Sequence, residues 1–521
     1  MESKLGSTLS SHWSKFPQDL YSIKTLSEEF KYLNDEKVLR NLGCEIRTKL
    51  LKMVDDAGTF DKNGVILLQG GTSLGANYFD TDTVSCPFRQ ESFFEYLFRL
   101  VEPDCYGAIF LGDQKTVLYV PKLSDETCRW NGPPKSLKFY KDKFSVDEVR
   151  YVFDLAKSFV EKKVSTVYVL TGLNTDSGMT TALVPNVKEI CKEQKCEFKV
   201  DNKLLYPVLA ECRVIKTPLE IKYMRICTLV TCQAHVFVMR HIRAGMSEIQ
   251  LESMFKAFCG VYGGARHVAY TCICASGPNG AILHYGHAGR PNDRILREND
   301  MMVLDMGGEY HGYATDITAS YPVSGKFTED QAAIHNAVRE AQEAVFANLK
   351  PGTKWKEMHR LAERVILSHL LKIGILKGGS VEDLMKHQIG SVFMPHGLGH
   401  FIGMDVHDVG GYLGTLDKKD NALGVRWLRT QRTLKAGMVL TVEPGCYFVE
   451  LWINSALKDE KKAAFFDMTV LKRFLKFGGV RLEDDVLITE TGYENFTKLP
   501  RTVKEYESVI KKYNATCIDC E

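Results

Sequence analysis

The N-terminal part of the chain alternates short apolar runs with polar stretches that contain turn residues, a pattern typical of strands joined by helices and turns. The predicted strands are residues 65–68, 107–111, 116–120 and 164–170. Residues 112–115 form the turn between the second and third of these strands, and residues 147–161 have the spacing of a helix. We therefore predict a mixed α/β domain over residues 21–205, after a polar tail of residues 1–20.

Helix start signals mark a second domain. Thr217 can cap a helix, Pro218 suits its first turn, and Glu220 completes a capping box. Two further capping boxes begin at Ser247 and Thr328. Each half of this region then shows helices followed by strands with two carboxylates, which is what a duplicated α/β catalytic domain would leave. We expect this domain, with an internal pseudo-twofold repeat, over residues 206–505, followed by a tail of residues 506–521.

Composition adds a few limits. The 521 residues are too many for one core, so two domains are expected, and a net charge of +2 favours neither nucleic acid nor an acidic partner. Residues 223–242 are the most apolar helical stretch, but Arg225 and Arg240 interrupt it, so we predict a buried helix and no membrane span. The first residues lack the apolar core of a signal peptide, and the fifteen cysteines have no regular spacing. We therefore expect a cytoplasmic protein with reduced thiols.

Four carboxylates and one imidazole, each in a short apolar context with glycines, are the main candidates for chemistry. They are Asp305, Asp316, His400, Glu443 and Glu483. The first two are expected on adjacent antiparallel strands joined by a turn, and Glu443 directly after a strand. Buried carboxylates repel one another unless they are paired or bind metal. If the five residues converge, they form a two-metal hydrolase site, and mostly oxygen donors with one imidazole favour Mn²⁺.

Other histidines lie near these acidic motifs. His396 and His400 have the i, i+4 spacing of zinc proteases, but the two glycines between them argue against a helix, and no H-E-x-x-H occurs. His284, His287 and His407 lie in similar glycine-flanked contexts. This concentration favours a shared site over separate structural roles.

Two other motifs are poor candidates. Residues 71–75 match G-x-S-x-G around Ser73, but the residues that follow begin a helix poorly, so a serine nucleophile is disfavoured. Cys517 and Cys520 form a C-x-x-C without a second pair or a nearby histidine, so metal or redox use is disfavoured.

Together, the motifs resemble the prolidase (Xaa-Pro dipeptidase) branch of the pita-bread metallopeptidases. The resemblance covers about residues 20–505 and is carried by residues 283–289, 304–310, 394–400, 405–411, 441–445 and 478–484. It implies an N-terminal creatinase-like domain, a C-terminal pita-bread catalytic domain and a homodimer. It also implies two Mn²⁺ ions per subunit, with Co²⁺ or Zn²⁺ able to replace them in vitro. The insertion at residues 448–476 is similar to that of eukaryotic-type prolidases.

The resemblance further implies roles for the five main candidates. Asp305 and Asp316 would hold one metal, His400 and Glu443 would complete the second, and Asp316 and Glu483 would bridge both. A hydroxide shared by the two cations would attack the carbonyl that precedes proline. Glu443 would carry a proton from that water to the leaving nitrogen.

Substrate-binding residues follow from the same resemblance. His284 and His407 would stabilise the tetrahedral intermediate and position the peptide. His396 would line the proline pocket, and Arg429 would bind the C-terminal carboxylate of the substrate. Two weaker candidates behind the ligands are Tyr270 and Arg481.

The expected substrates are dipeptides with C-terminal proline or hydroxyproline, and two alternatives stay open. An aminopeptidase P would cut longer Xaa-Pro peptides, although Arg429 and the insertion favour dipeptides. Some pita-bread proteins only bind ligands, usually after losing metal ligands, whereas all five positions are filled here.

Overall fold

The fold was obtained as a computed structural model. The structure describes residues 26–73, 87–181, 184–192, 197–286, 289, 291–413, 419–420 and 422–518, and for residues 26–27 and 511–518 the backbone alone. No helix in this part of the chain is long and apolar enough to cross a membrane.

The N-terminal part is built around one mixed sheet. Its elements are α1 (Leu26–Leu33), α2 (Glu36–Ala57), β1 (Gly64–Gln69), α3 (Ser92–Phe98), β2 (Tyr106–Phe110), β3 (Lys115–Val120), α4 (Asp125–Asn131), α5 (Leu137–Phe144), β4 (Glu148–Tyr151), α6 (Leu155–Glu161), β5 (Thr166–Val169), α7 (Val187–Ile190), β6 (Lys199–Asp201) and α8 (Leu205–Val214). The six strands lie in the order β4-β3-β2-β1-β5-β6. The central strand β1 pairs antiparallel with β2 and parallel with β5.

Both faces of this sheet are covered. On β1, Ile66 and Leu68 belong to the main core, whereas Val65 and Leu67 belong to a second core on the opposite face. Successive side chains of a strand point to opposite faces, which explains the unbroken apolar run of β1.

The four predicted strands are confirmed, whereas the predicted helix over residues 147–161 is confirmed for residues 155–161 and wrong for the residues before them. The segment starts as strand β4, continues through the 3₁₀ turn Val152–Asp154 and becomes helical only at α6. Val149 pairs with Leu118 of β3, so β4 extends the sheet by one parallel strand. Pairing with a distant strand has overridden the local helical spacing.

The C-terminal part combines small antiparallel sheets with long helices. Its elements are α9 (Pro218–His241), α10 (Glu248–Phe258), β7 (His267–Val268), β8 (Ile273–Ser276), β9 (Met301–Asp305), β10 (Gly308–Tyr310), β11 (Tyr313–Ala314), β12 (Thr318–Pro322), α11 (Glu329–Phe346), α12 (Trp355–Ile373), α13 (Val381–Lys386), α14 (Gly390–Phe393), β13 (Val439–Val442), β14 (Gly445–Tyr447), α15 (Glu450–Leu457), α16 (Glu460–Ala463), α17 (Met468–Leu471), β15 (Gly479–Arg481), β16 (Asp484–Ile488), β17 (Tyr493–Asn495) and α18 (Val503–Ile518). The sheet orders are β11-β10-β7, β12-β9-β8, β13-β16-β17 and β14-β15. The helices α15 to α17 occupy the predicted insertion.

The helix starts follow the sequence signals. The predicted capping boxes of Thr217 and Thr328 are present at the start of α9 and α11. Helix α11 also fixes the strands that matter for the site, because Gln342 Nε2 donates to the carbonyls of Val442 at 3.0 Å and Leu482 at 3.2 Å. This buried amide holds β13 and the β15–β16 connection at a set distance from the helix.

Candidate metal centre and active site

Asp305 and Asp316 come from one three-stranded sheet. Asp305 is the last residue of the central strand β9, opposite Ile273 of β8 and Thr318 of β12. Asp316 lies just before β12, and its N–H faces both carboxylate oxygens of Asp485 at 3.3 Å. The predicted antiparallel pair is right for β9 and β12, but their connection is longer than a turn because it contains the pair β10–β11.

Glu443 and Glu483 come from the second half of the C-terminal part. Glu443 directly follows β13, as predicted, and Glu483 lies between β15 and β16. An isolated bridge pairs Thr318 with Glu483, and Thr318 Oγ1 donates to Glu483 Oε2 at 2.7 Å. The two halves therefore meet at their carboxylates. We name as the acidic cluster the residues Asp305, Asp316, Glu443 and Glu483.

A glycine brings His400 against β13. A Cβ at Gly399 would lie 2.0 Å from Thr441 O, so a larger residue would push the chain away. A bridge from Phe401 to β13 and a 3.1 Å hydrogen bond from His400 N–H to Thr441 Oγ1 fix the approach. His400 Nδ1 hydrogen-bonds to Phe401 O at 3.0 Å, which leaves Nε2 for the acidic cluster. The two glycines of this motif serve a non-helical segment, as predicted.

The imidazole and the acidic cluster converge. His400 Nε2 lies 3.3 Å from Asp316 Oδ2 and 3.5 Å from Glu443 Oε1. Donor atoms of Asp316, His400 and Glu483 all lie within 4.8 Å of one another. Tyr270 supports the arrangement from behind, since its hydroxyl oxygen lies within hydrogen-bond distance of both Asp305 Oδ1, at 2.5 Å, and Asp316 Oδ1, at 2.6 Å.

The electrostatics of the cluster fit a bound cation. Burial and the charge of Asp305 raise the pKa of Asp316 well above its usual value. Burial, with Asp316 and Glu443 close by, also raises the pKa of Glu483 well above its usual value, and burial raises that of Glu443. Burial lowers the pKa of His400, so the imidazole is a neutral donor. Divalent cations remove this repulsion, and carboxylates with one imidazole suit them.

Arg481 is the guanidinium that contacts the acidic cluster within the described residues. It donates to Asp305, to Thr318 Oγ1 at 3.0 Å and to the hydroxyl of Tyr447 at 2.7 Å. Its Nε also lies 3.9 Å from Glu483. Burial opposes its charge, but Tyr447 and Asp305 outweigh burial and raise the pKa of Arg481 well above its usual value. These contacts orient the carboxylates of the acidic cluster.

His407 lies next to His400. The two ring centroids are 4.5 Å apart and the rings are nearly perpendicular, at 84°. Burial lowers the pKa of His407, and the neighbouring His400, Arg429 and His284 lower it further.

The loop that carries His407 is held by buried ion pairs with the end of α8. Arg213 Nη2 lies 2.8 Å from Asp405 Oδ2 and 2.5 Å from Asp408 Oδ1. Lys216 Nζ lies 3.0 Å from Asp408 Oδ2. We name as the balanced cluster the residues Asp405, Asp408, Arg213 and Lys216.

The remaining predicted histidines face the same centre. His396 Nδ1 lies 3.7 Å from Glu443 Oε2, and its Nε2 has no hydrogen-bond partner among the described residues. Burial lowers the pKa of His396 to about 3, and Arg481 and His284 add to this effect. His284 is exposed, close enough to act on both His396 and His407. His287 lies outside the described residues.

Arg429 lies at the edge of the centre. It lowers the pKa of His400 and His407, after the larger effect of burial. Its Nη1 is 3.3 Å from Asp176 Oδ1, a carboxylate of the N-terminal part. The structure thus brings the predicted carboxylate anchor to the side of the centre that carries the two imidazoles.

Sequence reasoning missed several residues that shape the centre. They are Thr318, Tyr447, Asp485 and Asp176. Alternation along β12 could have indicated Thr318, which shares a strand face with Asp316. Asp176 lies in a different domain from Arg429, so no local signal points to it.

The two motifs judged poor candidates lie partly outside the described residues. Ser73 N–H donates to Asp104 Oδ1 at 3.1 Å, and residues 74–86, which would form the rest of a nucleophile elbow, are not described. Of the C-x-x-C, Cys520 is not described and only the backbone of Cys517 is.

A two-domain fold whose strands deliver a buried carboxylate and imidazole donor set defines a metal-dependent hydrolase. Comparisons with known proteins agree. Residues 222–490 match the model of metallopeptidase family M24, and residues 44–168 match the aminopeptidase P N-terminal domain. The chain therefore belongs to metallopeptidase family M24.

Two relatives and one solved structure show how far the similarity extends along the chain. The chain is 45% identical over 466 residues to the Xaa-Pro dipeptidase of Mus musculus, covering 89% of this chain and 92% of that protein. It is 44% identical over the same shares to the Xaa-Pro dipeptidase of Homo sapiens. The structure of Pseudomonas aeruginosa aminopeptidase PepP has a TM-score of 0.73 and 29% identity, covering 91% of this chain and 99% of that chain. The predicted prolidase resemblance and the pita-bread fold class are confirmed, whereas the domain limits and the site roles stay predictions.

Proposed function

We propose that the chain is a dinuclear metal-dependent dipeptidase that hydrolyses dipeptides ending in proline or hydroxyproline. The observation that carries the proposal is the position of Arg429, whose guanidinium lies at the edge of a centre formed by His400, His407 and the acidic cluster. A planar guanidinium binds a carboxylate through two parallel hydrogen bonds. A dipeptide whose peptide carbonyl lies at the acidic cluster could then place its C-terminal carboxylate against Arg429.

The donor set supports two cations. Asp305 and Asp316 would hold one, His400 and Glu443 the other, with Asp316 and Glu483 shared between them. Bound divalent cations would supply a water of lowered pKa and polarise the scissile carbonyl. Oxygen donors with one imidazole are compatible with Mn²⁺ as the resident ion, and Co²⁺ or Zn²⁺ could replace it.

Glu443 is the residue proposed to move the proton. Burial raises its pKa above the usual value, a direction that suits a group that accepts and returns a proton. Its side chain is 15% exposed, more than that of Asp316, at 7%, or His400, at 4%, which supports a position that a substrate can reach. The leaving nitrogen of a proline peptide is tertiary and needs that proton.

The imidazoles are proposed to bind the peptide. Burial keeps His407 and His396 neutral. His407 can therefore donate one N–H, whereas the single N–H of His396 is on Nδ1, which donates to the carbonyl of Gly397 at 2.8 Å, so its Nε2 can only accept. The unpartnered Nε2 of His396 and its edge-on packing against the ring of Tyr447, with centroids 5.3 Å apart, support a place in the proline pocket. His284 and His407 are proposed to donate to the carbonyl that becomes tetrahedral.

One experiment separates this proposal from its alternative. Mn²⁺-loaded protein is incubated with Gly-Pro and with Gly-Pro-Ala, and released glycine is quantified. Cleavage of Gly-Pro alone would support the dipeptidase. Equal or better cleavage of the tripeptide would favour an aminopeptidase P, the activity named for the structurally similar Pseudomonas protein.

Three further expectations belong to the proposal. They are a manganese preference, a homodimer and a cytoplasmic location. The described cysteines with side chains are all thiols, compatible with a reducing compartment.

A further inference from the structure

The ion pair between Arg429 and Asp176 joins the proposed carboxylate anchor to the N-terminal part. The Nη1–Oδ1 distance is 3.3 Å, and the side chains of Arg429 and Asp176 are 28% and 18% exposed. A carboxylate thus already occupies one edge of the guanidinium that the substrate carboxylate is proposed to bind.

The loop that carries Asp176 is a self-contained hairpin. Asn174 O accepts from Gly178 N–H at 2.9 Å, and Asn174 Oδ1 accepts from Asp176 N–H at 2.9 Å. At the base, Thr181 N–H donates to Gly172 O at 3.0 Å. Because these hydrogen bonds lie within the hairpin, its tip can shift as a unit without breaking them.

Space is available for such a shift. A cavity of about 210 Å³ lies under the hairpin, between its residues Ser177 and Thr180 and the side chains of Tyr206, Asp405 and Val409. Besides the ion pair of Asp176, the hydroxyl of Tyr206 holds the hairpin by donating to the carbonyl of the residue before Asn174 at 3.1 Å.

Arg429 has much weaker contacts than Arg213, the arginine of the balanced cluster. Arg213 meets two carboxylate oxygens at 2.8 Å and 2.5 Å, and its side chain is 1% exposed. Charge-assisted hydrogen bonds of about 2.7–2.9 Å are the strong ones. Among the described residues, the ion pair of Arg429 with Asp176 is longer than these contacts, and the side chain of Arg429 is 28% exposed, so another carboxylate can replace Asp176.

We propose that Asp176 stands in for the substrate carboxylate: it occupies Arg429 in the empty enzyme and is displaced when the C-terminal carboxylate of a dipeptide binds. The inference rests on the proposed function, because it takes Arg429 as the anchor. Only a ligand that brings its own carboxylate restores the charge balance of Arg429 once Asp176 has left. Asp176 is therefore a specificity-determining residue for substrates that end in a free carboxylate.

The test is Asp176→Asn, which keeps the shape and removes the charge. We expect the KM for Gly-Pro to fall about 2- to 5-fold, the range of a weak exposed ion pair, with kcat within about 2-fold of the wild type. Asp176→Ser should change KM in the same direction. In an Arg429→Met background, Asp176→Asn should leave KM unchanged, because Asp176 then has no guanidinium to occupy.

The matched control is Asp142→Asn, which removes the same charge from an exposed helical pair with Lys138 and should leave KM unchanged. An unchanged or higher KM for Asp176→Asn overturns the inference, since Asp176 would then be idle or would position Arg429. If the wild type fails to cleave Gly-Pro, the proposed function fails and the inference with it. Cleavage with no fall in KM removes the inference alone.

Discussion

Two groups of carboxylates in this chain differ in how far the cationic side chains of the protein balance their charge. In the balanced cluster, Asp405 and Asp408 meet Arg213 and Lys216 at 2.5–3.0 Å. Burial alone would raise the pKa of Asp405, but the charge and hydrogen bond of Arg213, together with Arg89 and Ser92, outweigh burial, and the pKa lies below its usual value. This cluster needs no external ion to stay charged.

The acidic cluster lacks this balance. Within the described residues, its four carboxylates contact one guanidinium, that of Arg481, and a neutral imidazole. The pKa values of Asp316, Glu443 and Glu483 are raised, burial being the largest cause in each case. The comparison shows that the charge left uncompensated by the protein, more than the number of acidic residues, indicates where a cation belongs.

The largest expected effect comes from Glu443→Gln in the acidic cluster. We expect turnover of Gly-Pro to fall about 10²- to 10⁴-fold, because the proton carrier is lost. The melting temperature of the metal-free protein should stay equal or rise, because one repelling carboxylate has gone. Steady-state kinetics and calorimetry test both parts, with the exposed Glu450→Gln as the control. Near-normal turnover would refute the proton-carrier role.

The opposite result is expected in the balanced cluster. Arg213→Met should destabilise the fold by about 3–5 kcal/mol, because the buried Asp408 loses one of its two cationic partners and Asp405 loses its 2.8 Å contact. Urea unfolding measures the change. The control is Arg364→Met, which breaks an exposed pair with Glu382 and should cost about 1 kcal/mol or less. Equal losses for both variants would contradict the contrast between the clusters.

Metal binding tests the proposed difference between the acidic cluster and the balanced cluster. Adding Mn²⁺ to the chelated protein at about 100 times its Kd should stabilise the fold by about 2.7 kcal/mol per site. Glu483→Gln should reduce this gain, because Glu483 is proposed to hold both ions. Thermal unfolding against Mn²⁺ concentration and elemental analysis test the prediction. No thermal shift, or fewer than two ions per subunit, would count against a dinuclear centre.

The smallest of these four effects is expected for a substitution of Arg429. Arg429→Lys should raise the KM for Gly-Pro about 10-fold with a smaller change in kcat, because an ammonium cannot form the two-point contact. Kinetics with Gly-Pro measure the shift, and Arg473→Lys, an exposed arginine, is the control. Unchanged kinetics would rule out Arg429 as the anchor.

Local signals predicted the parts of this molecule that local physics decides. Capping residues marked α9 and α11, and apolar runs marked β1, β2, β3 and β5. The candidate donors could be proposed because buried acids next to glycines are rare without a function. Their convergence could not be derived from spacing, since Thr318 and Glu483 pair across a long stretch of chain.

Interactions between distant segments explain the failures. Strand β4 was mistaken for a helix because its pairing with β3 lies outside any local window. The contact of Asp176 with Arg429 and that of Arg213 with Asp408 join separate parts of the fold. No spacing rule connects such residues, so only the structure reveals them.

The bridge between Thr318 and Glu483 has a mechanical consequence. It marks a seam at which one half of the catalytic part contributes Asp305 and Asp316 and the other contributes Glu443 and Glu483. An ion shared across this seam acts as a cross-link that closes a very long loop, in the manner of a disulfide. Loss of the ion would therefore loosen the seam first, and amide hydrogens of β12 and β16 would exchange faster while those of the N-terminal sheet would not.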